Sequence, residues 1–211
     1  MFCSLLITVF AGMLTGGVAS TLVIRDKKVQ EETPSDIWAA KWRYVIDILD
    51  INGDGKLDKN EYINMMAARV GAITKSAEKE EIMRAYLQAV WDKWWKEVLN
   101  NENLVSFTAN DVIKNKAEMI SKFVEVHHLD IEDKWALTFF ELVDENEDDA
   151  LVAKEYANFL KIFHAKFSAE IFSEMDFDKS GDISRAEMVI NHLLFNTGDT
   201  MKGANFYGKV I

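Results

Sequence analysis

Cysteine and proline each occur once in the 211 residues, and glycine ten times. A single thiol, Cys3, excludes an internal disulfide and a cysteine-based zinc site. It lies in a hydrophobic N-terminal stretch, so the folded body holds no candidate thiol nucleophile. So little proline and glycine argues against a collagen-like, linker-rich or many-stranded chain. Positive charge is also scarce: 24 Lys and Arg face 35 Asp and Glu, for a net charge of −11. Such a surface repels phosphate backbones, which argues against nucleic acid as a partner, and it suits cations. The four histidines, His127, His128, His164 and His192, form no Ser–His–Asp or metal-hydrolase spacing, so no catalytic residue is assigned and an enzyme is not expected. What the chain does have is 49% hydrophobic and 11% aromatic residues, enough for a sizeable core.

Residues 1–24 carry no charge and are followed at once by Arg25, Asp26, Lys27 and Lys28. As a helix they would extend about 36 Å, against roughly 30 Å of hydrocarbon in a bilayer. Three readings stay open. A signal peptide would be cleaved near Ala19, leaving a secreted protein. A signal anchor would insert in the membrane and keep the folded body cytoplasmic, given the basic cluster that follows. The third reading is an extension that plays no part in folding. Residues 25–34, ending at Pro34, read as a linker.

From Ser35 onward the pattern is helical, with apolar residues at three- and four-residue spacing broken by short acidic stretches. Ile37, Trp38, Trp42, Val45, Ile46 and Leu49 mark one face. A long helix over about 76–99 is expected to turn Ile82, Tyr86, Val90, Trp91, Trp94 and Trp95 inward. Another is expected over about 108–126, and residues 127–130 read as the joint between two halves. The second half repeats the scheme, with helices to about Val143, to Phe163, over about 165–175 and to near Phe195. Eight helices thus make four helix–loop–helix units, a repeat whose loops carry the chemistry. The expected boundaries are 35–126 for the first pair, 131–197 for the second, and 198–211 for a tail packing on the domain.

The first loop, residues 50–61, fits D-x-[DN]-x-[DN]-G-x₅-E throughout. Its candidate ligands are Asp50, Asn52, Asp54, the carbonyl of Lys56, Asp58 and Glu61. A hard cation such as Ca²⁺ takes about six to eight oxygens near 2.4 Å, and a 12-residue turn aims alternate side chains and one carbonyl inward. Gly55 stands at position 6, where positive φ is needed, and Leu57 at position 8 pairs with the neighbouring loop. In the last loop, residues 176–187, the corresponding set is Asp176, Asp178, Ser180, the Asp182 carbonyl, Ser184 and Glu187, with Gly181 at the turn. The third, residues 144–155, offers Asp144, Asn146, Asp148, the Ala150 carbonyl and Glu155. It departs from the pattern at Asp149, where glycine is usual, and at Val152, which leaves one vertex to water; weaker binding or a different Mg²⁺ preference is expected there. The second unit is degenerate: in the register 100–111, Phe107 takes the pairing position while Leu104 and Val105 displace ligands. Three Ca²⁺ sites with competing Mg²⁺ follow, together with a silent loop that serves structure.

These residues resemble a known family, the invertebrate sarcoplasmic calcium-binding proteins, relatives of the coelenterazine-binding proteins and calcium-triggered photoproteins. The resemblance rests on Ser35-Asp-Ile-Trp38, the loops at 50–61 and 176–187, Val90-Trp91-Asp92, Phe139-Phe140 ahead of Asp144-Glu-Asn-Glu-Asp148, and Gly198-Asp199 through Asn205-Phe206-Tyr207-Gly208. It implies an all-α EF-hand fold: four units in two pairs, one compact domain, short β-bridges between paired loops, and a cytosolic Ca²⁺/Mg²⁺ buffer. Two rivals remain, a membrane-tethered calcium sensor with an unidentified protein partner, and a carrier of a luciferin-like small molecule. Against the sensor, the body's methionines are scattered while Phe and Trp dominate the inward positions, and stiff aromatics suit a closed core. Against luminescence, His192-Leu-Leu-Phe195 continues with Asn196 and Thr197, where photoproteins carry a Trp-Tyr run.

Overall fold

The sequence pattern resolves, in a computed structural model that describes residues 34–124 and 126–208, into ten helices and two short antiparallel ribbons. The described residues fall in one compact unit. Residues 1–33, and with them the signal or anchor segment and all of the linker except Pro34, which opens the first helix, lie outside the described residues. No helix among the described residues is long and apolar enough to cross a membrane.

The elements fall into four helix–loop–helix units. In the first, α1 (Pro34–Leu49) leads through β1 (Leu57–Asp58) and a π-helical turn (Asn60–Met65) into α2 (Met66–Thr74). The second runs through α3 (Ala77–Val90), a π-helical turn (Trp91–Trp95), α4 (Lys96–Val98), β2 (Ser106–Phe107) and α5 (Ala109–Lys114), with α6 (Lys116–Val124) following. The third comprises α7 (Val126–Val143), β3 (Ala150–Leu151) and α8 (Ala153–Ile162), and the fourth α9 (Ala169–Met175), β4 (Ile183–Ser184) and α10 (Arg185–Thr197). β1 pairs with β2 in the register Leu57↔Phe107, and β3 with β4 in the register Leu151↔Ile183. All four of those side chains are buried, so each loop pair is pinned by an apolar pair as well as by its backbone bonds.

Local chemistry explains the boundaries. Thr108 caps α5 and forms a capping box with Asp111, and Ser184 does the same for α10 with Glu187. Ser76 and Ser168 cap α3 and α9. Four expectations need correction. Ile82 is 57% exposed and Tyr86 half-buried, with Met83 and Leu87 buried beside them, while Val90, Trp91, Trp94 and Trp95 are buried as expected. The helix expected over 108–126 breaks at Asn115, whose side-chain amide donates to the Asp111 carbonyl. Residues 127–130, read as the joint, are helical within α7. The helix expected from 165 begins instead at Ala169, because His164 adopts positive φ and Ser168 supplies the cap.

The core is dense in aromatic rings. All six tryptophans are buried, and Trp42 meets Trp38, Trp95 and Phe195 at centroid distances of 6.1, 5.8 and 5.5 Å. A second cluster joins Trp135, Phe139, Phe159, Phe163, Phe206 and Tyr207. Phe206 and Tyr207 come from the tail, and the buried Tyr156 hydroxyl donates to the Phe206 carbonyl at 3.0 Å. The two halves interlock. α2 packs on α7 and α8, α10 packs on α1 and α6, and Arg69 of α2 donates to the Ile162 carbonyl at the end of α8. Lys41, wholly buried on α1, caps the end of α10 by donating to the carbonyls of Leu194 and Gly198.

Candidate metal centre

Each of the three acidic loops is built on the same backbone. Position 4 adopts positive φ in all of them, at Gly53 (72°), Glu147 (58°) and Lys179 (61°). So does position 6, at Gly55 (80°), Asp149 (64°) and Gly181 (97°). Asp149 therefore accepts the left-handed conformation that its glycine counterparts adopt without a Cβ clash. Its carboxylate is drawn outward to the Arg185 guanidinium, at 2.6 Å.

The first carboxylate of each loop gathers backbone N–H groups from across the turn. Asp50 accepts from Gly53, Asp54 and Gly55, with the Gly55 bond at 2.7 Å. Asp144 accepts from Asp148 and Asp149, and Asp176 from Ser180 and Gly181. The last glutamate closes the loop from the outgoing helix. Glu61 Oε1 accepts from the amides of Ile51 and Asn52, and its Oε2 from Asp58. Glu155 accepts from Glu145 and Val152, and Glu187 from Phe177, Asp178 and Ser184. Burying a carboxylate is costly unless it is hydrogen-bonded or paired with a cation, and all three glutamates are buried, at 2%, 4% and 6% exposure. The amides orient each carboxylate while leaving lone pairs for a further partner.

The remaining assigned residues lie within the same turns. Asn52 accepts from Asp54, whose own carboxylate accepts from Lys56 N–H. Asn146 and Asp148 are joined side chain to side chain, and Asp148 also accepts from the amide of Ala150. In the fourth loop Asp176, Asp178 and Glu187 each present a carboxylate oxygen within 4.8 Å of the others. Hydrogen bonds from Ser180 hold the Asp178 carboxyl below the usual carboxylate range. Ser180 also donates to the Asp182 carbonyl. The position-9 residues serve the helix start: Asp58 and Ser184 accept from the N–H groups of Glu61 and Glu187.

The second loop lacks these devices. Asp111, where the loop glutamate would stand, accepts from Thr108 N–H and Oγ1 and belongs to the α5 cap. Leu104 is buried and its carbonyl receives the Trp91 indole N–H. Three features were missed in sequence. They are the Arg185–Asp149 bridge, the burial of Lys41, and the clamp made by Asn191 across α9 and α10. Arg185 alone left a signal, being a cation at position 10 opposite an acidic partner loop.

The donor sets and backbone turns are those of EF-hands, and comparison with known proteins agrees. The chain is 27% identical to a luciferin-binding protein of Renilla reniformis over 173 residues, spanning 77% of this chain and 89% of that one. The chain is related to the EF-hand group of sarcoplasmic calcium-binding proteins and photoproteins. A sarcoplasmic calcium-binding protein of Perinereis vancaurica tetradentata is 24% identical over 129 residues, 61% of this chain and 70% of the relative. Among solved structures, a sarcoplasmic calcium-binding protein from amphioxus superposes with a TM-score of 0.62 at 18% identity, covering 82% of this chain and 97% of its own. No family model matches the chain. The resemblance stated from sequence thus stands, as does the all-α EF-hand fold.

Proposed function

We propose that this chain binds Ca²⁺ through its first, third and fourth loops and acts as a Ca²⁺/Mg²⁺ buffer. One observation carries the reading: in each of those loops a buried position-12 glutamate closes over a turn with positive φ at positions 4 and 6. The ligands are those named from sequence, Asp50 through Glu61, Asp144 through Glu155 and Asp176 through Glu187. When bound, the ion would offset a cluster of carboxylates that otherwise repel one another; six added charges would bring the net charge from −11 to −5. At the third loop Val152 supplies no oxygen, so weaker Ca²⁺ binding and readier exchange with Mg²⁺ are the expectation. A cytoplasmic setting suits a buffer, because a site with affinity of roughly 10⁻⁸ to 10⁻⁵ M would stay filled at extracellular calcium.

A small-ligand carrier is the second reading, and one feature favours it. A cavity lined by Trp42, Trp94, Trp95, Trp135, His192 and Tyr207 lies at the centre of the domain, and the indole N–H groups of Trp42 and Trp95 find no partner among the described residues. Its volume weighs against a luciferin-sized guest. It measures about 40 Å³, whereas pockets that take drug-sized ligands measure roughly 300–1,000 Å³. A void of that size suits one or two waters bridging the indoles.

Calorimetric titration of the full-length chain with Ca²⁺ at millimolar Mg²⁺, alongside a hydrophobic dye, tests the proposal. Three ions bound without a rise in dye signal is the expected result. A strong calcium-dependent rise would replace the buffer with a sensor that opens an apolar groove.

A further inference from the structure

Asn191 sits in α10 one turn beyond Glu187, with 1% of its surface exposed. Its Nδ2 donates twice, to the Met175 carbonyl at 3.0 Å and to the Glu187 carbonyl at 2.9 Å. Met175 is the last residue of α9 and immediately precedes Asp176, the first ligand position of the fourth loop. One amide therefore joins the two ends of that loop, the residue before position 1 and the residue at position 12. The Met175 carbonyl is among the last of its helix, a group with no partner inside α9. The Asn191 Oδ1, by contrast, has no hydrogen-bond partner among the described residues. Leaving a buried acceptor unused costs free energy, and an apolar side chain of similar size would avoid it. The corresponding positions, four residues after Glu61 and Glu155, are Met65 and Phe159, which carry no donor. In the second unit Asn115 stands at that position and donates one turn back to the Asp111 carbonyl; among the described residues the further bond across the loop, to the residue before position 1, is made only by Asn191.

We propose that Asn191 is a positioning residue for the fourth loop: it staples α9 to α10 so that this unit takes its ion with the helices already in the closed arrangement. The inference rests on the calcium-binding reading above. A loop whose ends are held pays less ordering entropy on binding, so its affinity is higher than that of the same ligands on loose helices. Holding the helix ends together also opposes the separation by which EF-hand sensors expose an apolar groove. The staple would thus help make the fourth unit a buffer rather than a switch.

The test uses full-length chains in which Glu61→Gln and Glu155→Gln leave only the fourth loop, titrated with Ca²⁺ alone in the presence of a hydrophobic dye. Asn191→Leu in this background is expected to weaken Ca²⁺ binding about tenfold and to produce a calcium-dependent rise in dye signal. Asn191→Met, which also lacks the donor and adds no charge, provides the same reading should the leucine variant not fold. A second background, Glu155→Gln with Glu187→Gln, isolates the first loop. There Asn191→Leu or Asn191→Met should leave the affinity unchanged, whereas a general loss of stability would lower it too. Affinity within twofold of the parent in both fourth-loop variants, with no dye response, would overturn the staple while the calcium reading stands. Absence of calcium binding by the fourth-loop parent would overturn both.

Discussion

Lys41 and His192 show how far burial alone can move a side chain from its ordinary chemistry. Burial pushes the Lys41 ammonium down to about 8, with Lys116 adding to the effect and Asp199 opposing it. The His192 imidazole, stacked on Trp135 at 4.6 Å, is pushed by burial down to about 3. Both shifts have a definite sign for stability. Between about 8 and about 10.5 the unfolded chain holds the Lys41 proton more tightly than the folded one, so stability rises with pH across that window. Between about 3 and about 6.5 the unfolded chain takes up the His192 proton, so stability falls as pH falls. Urea denaturation at a series of pH values should show both slopes. Lys41→Met should remove the alkaline slope and His192→Phe the acid one. Neither burial was legible in sequence. A lysine in an amphipathic helix reads as solvent-facing, and only the tail and the end of α10 folding over α1 cover it.

Among the elements, the second loop shows what a unit with a degenerate loop contributes. Its ligand positions are lost, yet β2 still pairs with β1, and Phe107 stands opposite Leu57 against Trp91 and Trp95 at 5.5 and 4.6 Å. Phe107→Ala should cost about 3–5 kcal/mol as a buried aromatic truncation. It should also weaken ion binding at the first loop, because β1 supplies positions 8 and 9 of that loop. Thermal denaturation and calorimetry check the two effects separately. The register of this pair was legible from one constraint, that an apolar residue must face Leu57. The break at Asn115 and the helical path of residues 127–130 were not, since local polarity looks alike in a helix surface and in a joint.

For the whole molecule, the charge of −11 and the loop carboxylates imply a fold that leans on its ions. Ligand binding to the native state alone stabilises it by about 2.7 kcal/mol per site when the free ion is at a hundred times the dissociation constant. A calcium chelator should therefore lower the melting temperature markedly, and restored Ca²⁺ should raise it again. Scanning calorimetry with and without chelator measures this directly. The loss should occur as one cooperative transition, because contacts such as Arg69 to Ile162 and Lys41 to α10 cross between the halves.

The residue spacing by itself determined the four helix–loop–helix units and set three acidic loops apart from a degenerate one. The reason is physical: coordination of a hard cation by a 12-residue turn requires oxygen donors and a left-handed residue at set intervals, and these are local demands written along the chain. Tertiary structure decided what local demands leave open. It chose which residues of α3 face inward, left a cavity of about 40 Å³ among the aromatic rings, and brought Asn191 to the end of α9 and Arg185 to Asp149. Those outcomes depend on how elements distant in sequence fill space against one another, and no spacing rule within a single helix encodes them.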